Sequence, residues 1–378
     1  MTEVVIVKYV RSPFTLAKKG FLKDIRADDL AAQTIKGLLS NFSFEKKDIE
    51  DVIIGCANGE GEQGLNVARV ISFLSGIPIT SGASTVNRLC ASSMTAIHNA
   101  AGAISLNAGK LFICGGTESM SHVPMIGFNF SPNQTLEDEF PQAYCSWGQT
   151  AENVAIKYQI TKDEQNKFAY NSHMKALKAQ KENKFKDEII PIKINETIIS
   201  SDGCVRSDTT LEKLQSLKSS FSDEGSVTAG NSSPLTDGAT ALLVCSKNYA
   251  EDNNLEMLAK IKSIAVHGCE PDYMGLGPIG ATQKALDRAS LTINDIGIVE
   301  LNEAFASQSI ACVRELGIDE NILNIDGGAI AIGHPLGATG ARITGKAASL
   351  LKRENVEFAL ATQCIGSGQG LSTILQAV

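Results

Sequence analysis

Two stretches of this 378-residue chain decide its fold: Asp48-Ile-Glu-Asp-Val-Ile-Ile-Gly-Cys-Ala-Asn-Gly-Glu60 and Asn294-Asp-Ile-Gly-Ile-Val-Glu-Leu-Asn-Glu-Ala-Phe305. In each, an Asp-Ile pair leads into a short apolar run and then a polar loop. The likeness continues downstream. A helix start built from small residues follows in both, Ala-Ser-Ser-Met after Cys90 and Ala-Thr-Gly-Ala after His334. A strand that ends on cysteine and glycine comes next, Cys114-Gly115 in the first part and Cys364-Ile365-Gly366 in the second. Together these segments indicate an internal duplication of one α/β unit.

Outward from them, short apolar runs predict strands at Val4–Val10, Val52–Cys56, Leu111–Cys114, Ile261–His267, Ile296–Leu301, Ile322–Ile325 and Phe358–Thr362. Ala91–Leu106 places Met94, Ile97, Ala101 and Ile104 on one buried helix face, and Ala338–Leu351 reads as a second helix. Strands alternating with helices predict parallel or mixed sheets. The middle differs. Ser121–Phe221 is rich in Lys, Asn, Ser and Gln, and a capping box at Thr161–Glu164 opens a helix through Leu177. The expected organisation is an N-terminal half at 1–120, completed by about 222–257, a loop domain over the sheet at 121–221, and a C-terminal half at 258–378.

Composition narrows the function classes. Hydrophobic residues at 43% and charged residues at 20% exclude disorder and collagen-like structure. No apolar run is long enough to span a bilayer. The opening MTEVVIVKYVRSP reads as a first strand, not a secretion signal, and the closing LQAV is not a peroxisomal address. With 34 Lys+Arg against 42 Asp+Glu the net charge is −8, which disfavours nucleic acid while leaving room for a local basic patch. Nine scattered cysteines without a C-x-x-C pair argue against a disulfide framework and against structural zinc. The expectation is a reducing, cytoplasmic setting and no metal.

Four segments at strand-to-helix junctions are glycine-dense or reactive: VNRLCASS at 86–93, NEAF at 302–305, GGAIAIGHPLGATG at 327–340 and CIGSGQG at 364–370. Cys90 is predicted at a helix N-terminus, where backbone N–H groups and the helix dipole favour thiolate. His334 sits in a tight Gly/Pro loop. Cys364 ends a strand and is followed by glycines that admit a substrate to the backbone. Singly, each is more often a core cysteine or an ordinary turn. As a Cys/His/Cys set in corresponding parts of the two halves they point to catalysis. Two other patterns carry nothing. Gly275-Leu-Gly277-Pro-Ile-Gly280 matches a dinucleotide fingerprint but has no strand immediately before it, so it reads as a structured loop. Gly340–Ala347 lacks the Ser or Thr of a phosphate loop and reads as helix.

On these four segments the sequence resembles the thiolase family, through nearly the whole chain. GTESM at 116–120, TAENVA at 150–155, VTAGNSSPLTDGA at 227–239 and MGLGP at 274–278 are further family segments. RADDL, EQGLNVAR, STVNRLC and SHVPM look closest to the degradative branch, the 3-ketoacyl-CoA thiolases (acetyl-CoA C-acyltransferases) of fatty-acid β-oxidation. The resemblance implies duplicated α/β halves with mixed five-stranded sheets in an αβαβα layering, plus the inserted loop domain. It implies that Cys90 attacks a 3-ketoacyl-CoA and forms an acyl-enzyme that free CoA relieves. Cys364 would protonate the departing acetyl-CoA enolate and later deprotonate CoA. His334 would activate Cys90 and, with a water held by Asn302, stabilise the thioester oxyanion. The N–H groups of Cys90 and Gly366 would hold the tetrahedral oxyanion. Arg206 would lie at the adenine, Ser233 at the pantetheine, and Met274 and Phe305 at the acyl end.

The implied substrates are CoA and acyl-CoA, with no tightly bound cofactor. The implied assembly is a homodimer or homotetramer, with a multifunctional hydratase/dehydrogenase subunit as a further partner. The chain departs from the family pattern at Trp147, where Met is usual, at Gly280, where Pro is common, and at Ser367, the middle glycine of C-x-G-G-G-x-G. A ring at 147 should reshape the acyl pocket. The alternative activity is that of a short-chain acetoacetyl-CoA thiolase. A silent thiolase-like carrier should lack one of the catalytic groups, and a ketoacyl synthase should lack the Cys364 motif.

Overall fold

The computed structural model of the chain describes residues 2–40, 42 and 44–378. Its strands are β1 (Val4–Arg11), β2 (Thr15–Leu16), β3 (Ile49–Gly55), β4 (Gly82–Val86), β5 (Leu111–Ser119), β6 (Ile192–Ile194), β7 (Thr197–Ile199), β8 (Thr236–Ser246), β9 (Ala259–Gly268), β10 (Ile298–Leu301), β11 (Phe358–Ile365) and β12 (Gln369–Gln376). Its helices are α1 (Ala27–Leu39), α2 (Val67–Leu74), α3 (Ser92–Ser105), α4 (Gln134–Glu139), α5 (Trp147–Lys157), α6 (Lys162–Lys181), α7 (Leu211–Ser216), α8 (Lys247–Asp252), α9 (Gly277–Ala289), α10 (Ala306–Leu316), α11 (Ala329–Ile332) and α12 (Leu336–Glu354). The main sheet runs β10-β11-β12-β9-β1-β8-β5-β3-β4, with β2 on β8. Parallel pairs β3–β4, β3–β5 and β10–β11 sit among antiparallel ones.

Three apolar clusters show why this chain makes five layers. Leu30 and Ile35 of α1, Ile71 of α2 and Tyr249 of α8 cover Val5, Val52, Ile54 and Leu243 on one face of the first half-sheet. The opposite face, with Ile6, Ile53, Phe112 and Val244, packs on Met94 and Ile97 of α3 and on Ile343 and Leu351 of α12. Those two central helices also meet Ile298, Ala361 and Leu371 of the second half-sheet. Beyond it, Leu286 of α9 and Leu316 of α10 close over Val299, Leu360 and Ile374. The order is helix, sheet, helix, sheet, helix. Strands buried on both faces, such as β8, have no alternation to reveal them.

The two half-sheets join, among the described residues, through the register pairs Val5↔Lys260 and Ile6↔Ala259. The first half has five long strands, as expected. The second has four. The predicted strand at Ile322–Ile325 is instead a turn that bridges Val299 at Leu323 alone. Asn324 explains this: its backbone is left-handed, with φ of 42°, and its carboxamide replaces a fifth strand's backbone. Leu301 N–H donates to Asn324 Oδ1 at 3.0 Å and Asn324 Nδ2 donates to the Leu301 carbonyl at 2.9 Å. A second correction concerns Gly275–Gly280, read as a loop. Gly277 opens α9 with Pro278 in its first turn, a position where the missing N–H costs nothing.

Residues 121–221 hold α4 to α7 and the small hairpin β6–β7. The capping box of Thr161 and Glu164 is formed, and its helix α6 runs beyond the predicted end, to Lys181.

The small residues at both central helix starts have a steric cause. A Cβ on Gly116 of β5 would lie 2.0 Å from the Gly337 carbonyl oxygen, and Ala341 N–H donates to Ser93 Oγ at 2.8 Å. A Cβ on Gly340 of α12 would sit 2.5 Å from the Met94 backbone nitrogen of α3, and the start of α12 lies against the β5 backbone at Gly116. Gly116→Ala should overpack this contact and lower stability by about 1–3 kcal/mol, read as a lower midpoint of urea unfolding. An unchanged midpoint would mean that α12 can retreat without loss.

Candidate active site

Cys90 occupies the 3-10 turn Leu89–Ala91 that leads into α3. Leu89 before it takes a left-handed backbone, with φ of 46°, which costs a residue with a Cβ on the order of 1–3 kcal/mol. Local bonds hold the turn. Leu89 N–H donates to Asn87 Oδ1 at 2.8 Å, Asn87 Nδ2 donates to the Ala57 carbonyl at 2.9 Å, and Arg88 N–H donates to Ser92 Oγ at 2.9 Å. The turn aims the sulfur into the interior, where Cys90 is 4% exposed. The N–H groups of Gly366 and of Cys90 itself point at the sulfur and favour thiolate, but burial outweighs them and pushes the thiol up to about 12. The helix terminus favours the thiolate as expected, and desolvation by burial opposes it more strongly.

The imidazole of His334 is held at both nitrogens. Thr339 Oγ1 donates to the Pro335 carbonyl at 3.0 Å and so accepts from His334 Nδ1–H at 2.6 Å. Asn302 Nδ2 lies 3.4 Å from Nε2 on the other side. This fixes the tautomer, with the proton on Nδ1 and a lone pair on Nε2. Burial and the charge of Arg342 lower its pKa to about 3, so the ring is neutral at working pH. Asn302 Oδ1 is buried without a protein partner, a vacant acceptor next to the ring.

Cys364 is the penultimate residue of β11 and is 1% exposed. Its Sγ–H donates to Gln308 Oε1 at 3.7 Å. Burial and the neighbouring sulfur of Cys90 hold it well above the usual thiol range. A cavity of about 460 Å³ is walled by Cys90, His334, Cys364, Trp147, Met274 and Phe305, and Ser233 and Arg206 also border it. The structure therefore brings together nine of the ten residues singled out in the sequence around one space, counting Asn302 through His334 and leaving Gly366 to reach it through its N–H on Cys90.

Arg206 is exposed, and its own backbone N–H donates to His173 Nδ1 at 3.3 Å. The indole of Trp147 covers the catalytic turn. A Cβ on Gly366 would sit 2.9 Å from Trp147 Nε1 and 2.8 Å from Leu89 Cδ1, so the ring leaves room for glycine only. Ser367 next door holds φ of 61°, the conformation that the family's usual glycine adopts without strain. Among the described residues no group of three or more His, Cys, Asp or Glu side chains is arranged to hold a metal ion.

Sequence reading missed the buried carboxylates behind these groups. Glu118 Oε2 accepts Gly337 N–H at 2.8 Å and Ala57 N–H at 2.8 Å, tying the start of α12 to the loop after β3. Glu303 Oε2 accepts Ser172 Oγ–H at 2.6 Å and Ile330 N–H at 3.2 Å, while its Oε1 accepts Asn324 Nδ2–H at 2.8 Å. It anchors the loop that carries His334 to α6. Both glutamates lie in family segments, GTESM and NEAF, which gave a signal of position but not of role.

The thiolase N-terminal domain profile matches residues 4–248, and the thiolase C-terminal domain profile matches 255–377. The chain belongs to the thiolase family. It is 46% identical over 389 aligned residues to the 3-ketoacyl-CoA thiolase of Bacillus subtilis (strain 168), covering 100% of each chain. It superposes on human mitochondrial 3-ketoacyl-CoA thiolase in complex with CoA with a TM-score of 0.92 at 36% identity, covering 100% of this chain and 98% of the other. It also superposes on the acetyl-CoA acetyltransferase of Bacillus anthracis with a TM-score of 0.92 at 35% identity, covering 100% of this chain and 99% of the other. The αβαβα layering of this thiolase is the fold of those structures.

Proposed function

We propose that this thiolase cleaves 3-ketoacyl-CoA with CoA, giving acetyl-CoA and a shortened acyl-CoA, as an acyltransferase of fatty-acid β-oxidation. The observation that carries this reading is the convergence of two thiols and one Nδ1-protonated imidazole on a single apolar cavity, with the Gly366 N–H on the Cys90 sulfur. Carbon–carbon cleavage needs those parts: a nucleophile, a proton donor at the leaving carbon and donors for oxygens that turn negative.

In this reading Cys90 loses its proton to the unprotonated Nε2 of His334, displacing the 3.4 Å contact from Asn302 Nδ2, as its sulfur bonds to the 3-keto carbon. The N–H groups of Cys90 and Gly366 receive the tetrahedral oxygen. Collapse breaks the bond between C2 and C3, and the electron pair passes into the acetyl-CoA enolate. The imidazolium and a water on Asn302 Oδ1 stabilise the enolate oxygen, and Cys364 delivers its proton to C2. Cys364 then takes the proton of the incoming CoA thiol, and the CoA sulfur attacks the Cys90 thioester. A ring with its pKa near 3 gives its proton back readily, which suits a transient acceptor.

CoA enters past Arg206 and Ser233, under residues 121–221, with the acyl chain toward Met274, Phe305 and Trp147. Domain limits at 1–120 with 222–257, 121–221 and 258–378 follow the same division. We place the protein in the cytoplasm, a reading supported by nine free cysteines. An oligomer through β4 is supported by its position at the sheet edge and by exposed Leu65, Phe73 and Ile79 beside it.

Steady-state thiolysis across a chain-length series tests the reading. Higher kcat/KM on longer 3-ketoacyl-CoA than on acetoacetyl-CoA supports it, and the reverse order supports an acetyl-CoA C-acetyltransferase. Trp147 should set part of that order, because a rigid ring replaces adaptable volume. Trp147→Met should change the ratio of long-chain to C4 efficiency by roughly 10–200-fold, the range for methylene-scale changes in an apolar pocket. An unchanged ratio would reduce Trp147 to a packing residue over Gly366.

A further inference from the structure

Cys364 has to work in two protonation states, as a thiol that gives a proton to carbon and as a thiolate that takes one from CoA. Among the described residues its hydrogen-bonding side-chain partner is Gln308, in the first turn of α10 and 1% exposed. Gln308 Oε1 accepts the Cys364 S–H at 3.7 Å and also the Phe305 N–H at 3.4 Å, which identifies that atom as the oxygen. Gln308 Nε2 is buried and makes no hydrogen bond to a backbone or side-chain oxygen or nitrogen. The side chain is packed against Gly275, where a Cβ would lie 2.8 Å from the glutamine Cβ. The carboxamide thus offers its acceptor to the Cys364 thiol, while its side chain also reaches the sulfur of Cys312 one turn further along α10.

We propose that Gln308 is a positioning residue for Cys364, presenting its oxygen to the thiol and, after a half-turn of the amide, its N–H to the thiolate. The inference rests on the thiolase reading above. In the cleavage half, the S–H bond of Cys364 breaks, a C–H bond forms at C2, and the S–H electron pair stays on sulfur. The new thiolate faces an oxygen lone pair, which is repulsive. Rotation about the terminal torsion, a broad two-fold well, replaces it with N–H and gives up the long 3.4 Å bond from Phe305 N–H. In the second half the thiolate takes the CoA proton, and the amide returns. The ionisable groups acting most strongly on Cys364 are Cys90 before α3, Cys312 on α10 and Cys269 after β9, all thiols, and His334 faces the same cavity. Glu270 and Asp272 act on Cys269. No cation is among these influences; the Cys364 N–H already favours its thiolate, and the Gln308 N–H is the side-chain donor next to it.

The test compares wild type, Gln308→Met and Gln308→Glu. Acylation of Cys90 by a simple acyl-CoA, read by intact mass, forms no carbanion and should stay within about twofold in both variants. Thiolysis of 3-ketoacyl-CoA should fall on the order of 10–100-fold, the worth of a hydrogen bond to a charged group, and its pH profile should move to higher pH. Without substrate, alkylation of Cys364 by iodoacetamide, resolved from Cys90 by peptide mass spectrometry, should move the same way. Gln308→Glu keeps shape and acceptor but loses the donor, so it should be slower than Gln308→Met at the CoA step. Wild-type thiolysis with an unchanged alkylation profile in Gln308→Met overturns the proposal. So does an equal fall of both half-reactions, which marks a structural role. Failure of wild type itself to thiolyse 3-ketoacyl-CoA overturns the function reading instead, and the alkylation profile still decides the role of Gln308.

Discussion

Cys90→Ser should remove turnover and acyl-enzyme formation together. The sulfur is the one nucleophile aimed by the Leu89–Ala91 turn at the cavity, with two N–H groups already directed at it. Serine fits the same turn, so folding should survive. Its hydroxyl is far harder to ionise than a thiol, and burial that already pushes Cys90 up to about 12 would push an alkoxide further out of reach. A neutral His334, its ring set low by burial, offers too weak a base to compensate. The expected loss is on the order of 10⁴-fold or more, the scale seen when a covalent nucleophile is deleted from an acyl-transfer site. Intact mass after incubation with acyl-CoA gives the direct reading. An acyl adduct on the serine variant at the wild-type rate would sink the assignment. The pH dependence has a definite sign: in the free wild-type enzyme, alkylation of Cys90 should keep rising as pH increases through 7–10, because the reactive thiolate gains population without levelling off below about 12.

How much of this was legible in the sequence follows from the range of the interactions. The two central helices were readable because small residues and one apolar stripe are local signals, and α3 appears within one residue of Ala91–Leu106 at each end. The strands β4, β8 and β12 were not assigned. β8 begins with Thr-Asp-Gly and is buried on both faces, so neither alternation nor composition marks it. Asn324 could not be foreseen, since a side chain standing in for a strand is defined only by Leu301, 23 positions away. Within the site, Cys90, His334 and Cys364 were readable because they lie in glycine-dense junction motifs. Glu118 was not: its partner Gly337 is 219 positions distant, and a glutamate gains meaning from such donors alone. The protonation state of Cys90 depends on the burial supplied by the whole cavity, which no local pattern encodes.

Cys364→Ala should separate what Cys90→Ser abolishes as one. The Cys364 sulfur shares the cavity with Cys90, so a charge on one thiol raises the cost of a charge on the other. That suits alternation: Cys364 keeps its proton while Cys90 attacks and surrenders it when the enolate forms. Transfer of an acyl group from a simple acyl-CoA onto Cys90 makes no carbanion, so it should persist in the alanine variant. Thiolysis of 3-ketoacyl-CoA needs a proton at C2 and should fall by roughly 10²–10⁴-fold, the contribution of a positioned general acid. Alanine also leaves Gln308 Oε1 with only the Phe305 N–H, a change in hydrogen bonding with little change in volume, so a fall confined to thiolysis is not a packing effect. Rapid-quench measurement of Cys90 acylation beside steady-state thiolysis gives both numbers on one preparation. Equal losses in the two would make Cys364 a structural thiol, and the proton at C2 would then have to come from elsewhere in the cavity wall, with His334 the remaining group that is able to carry one.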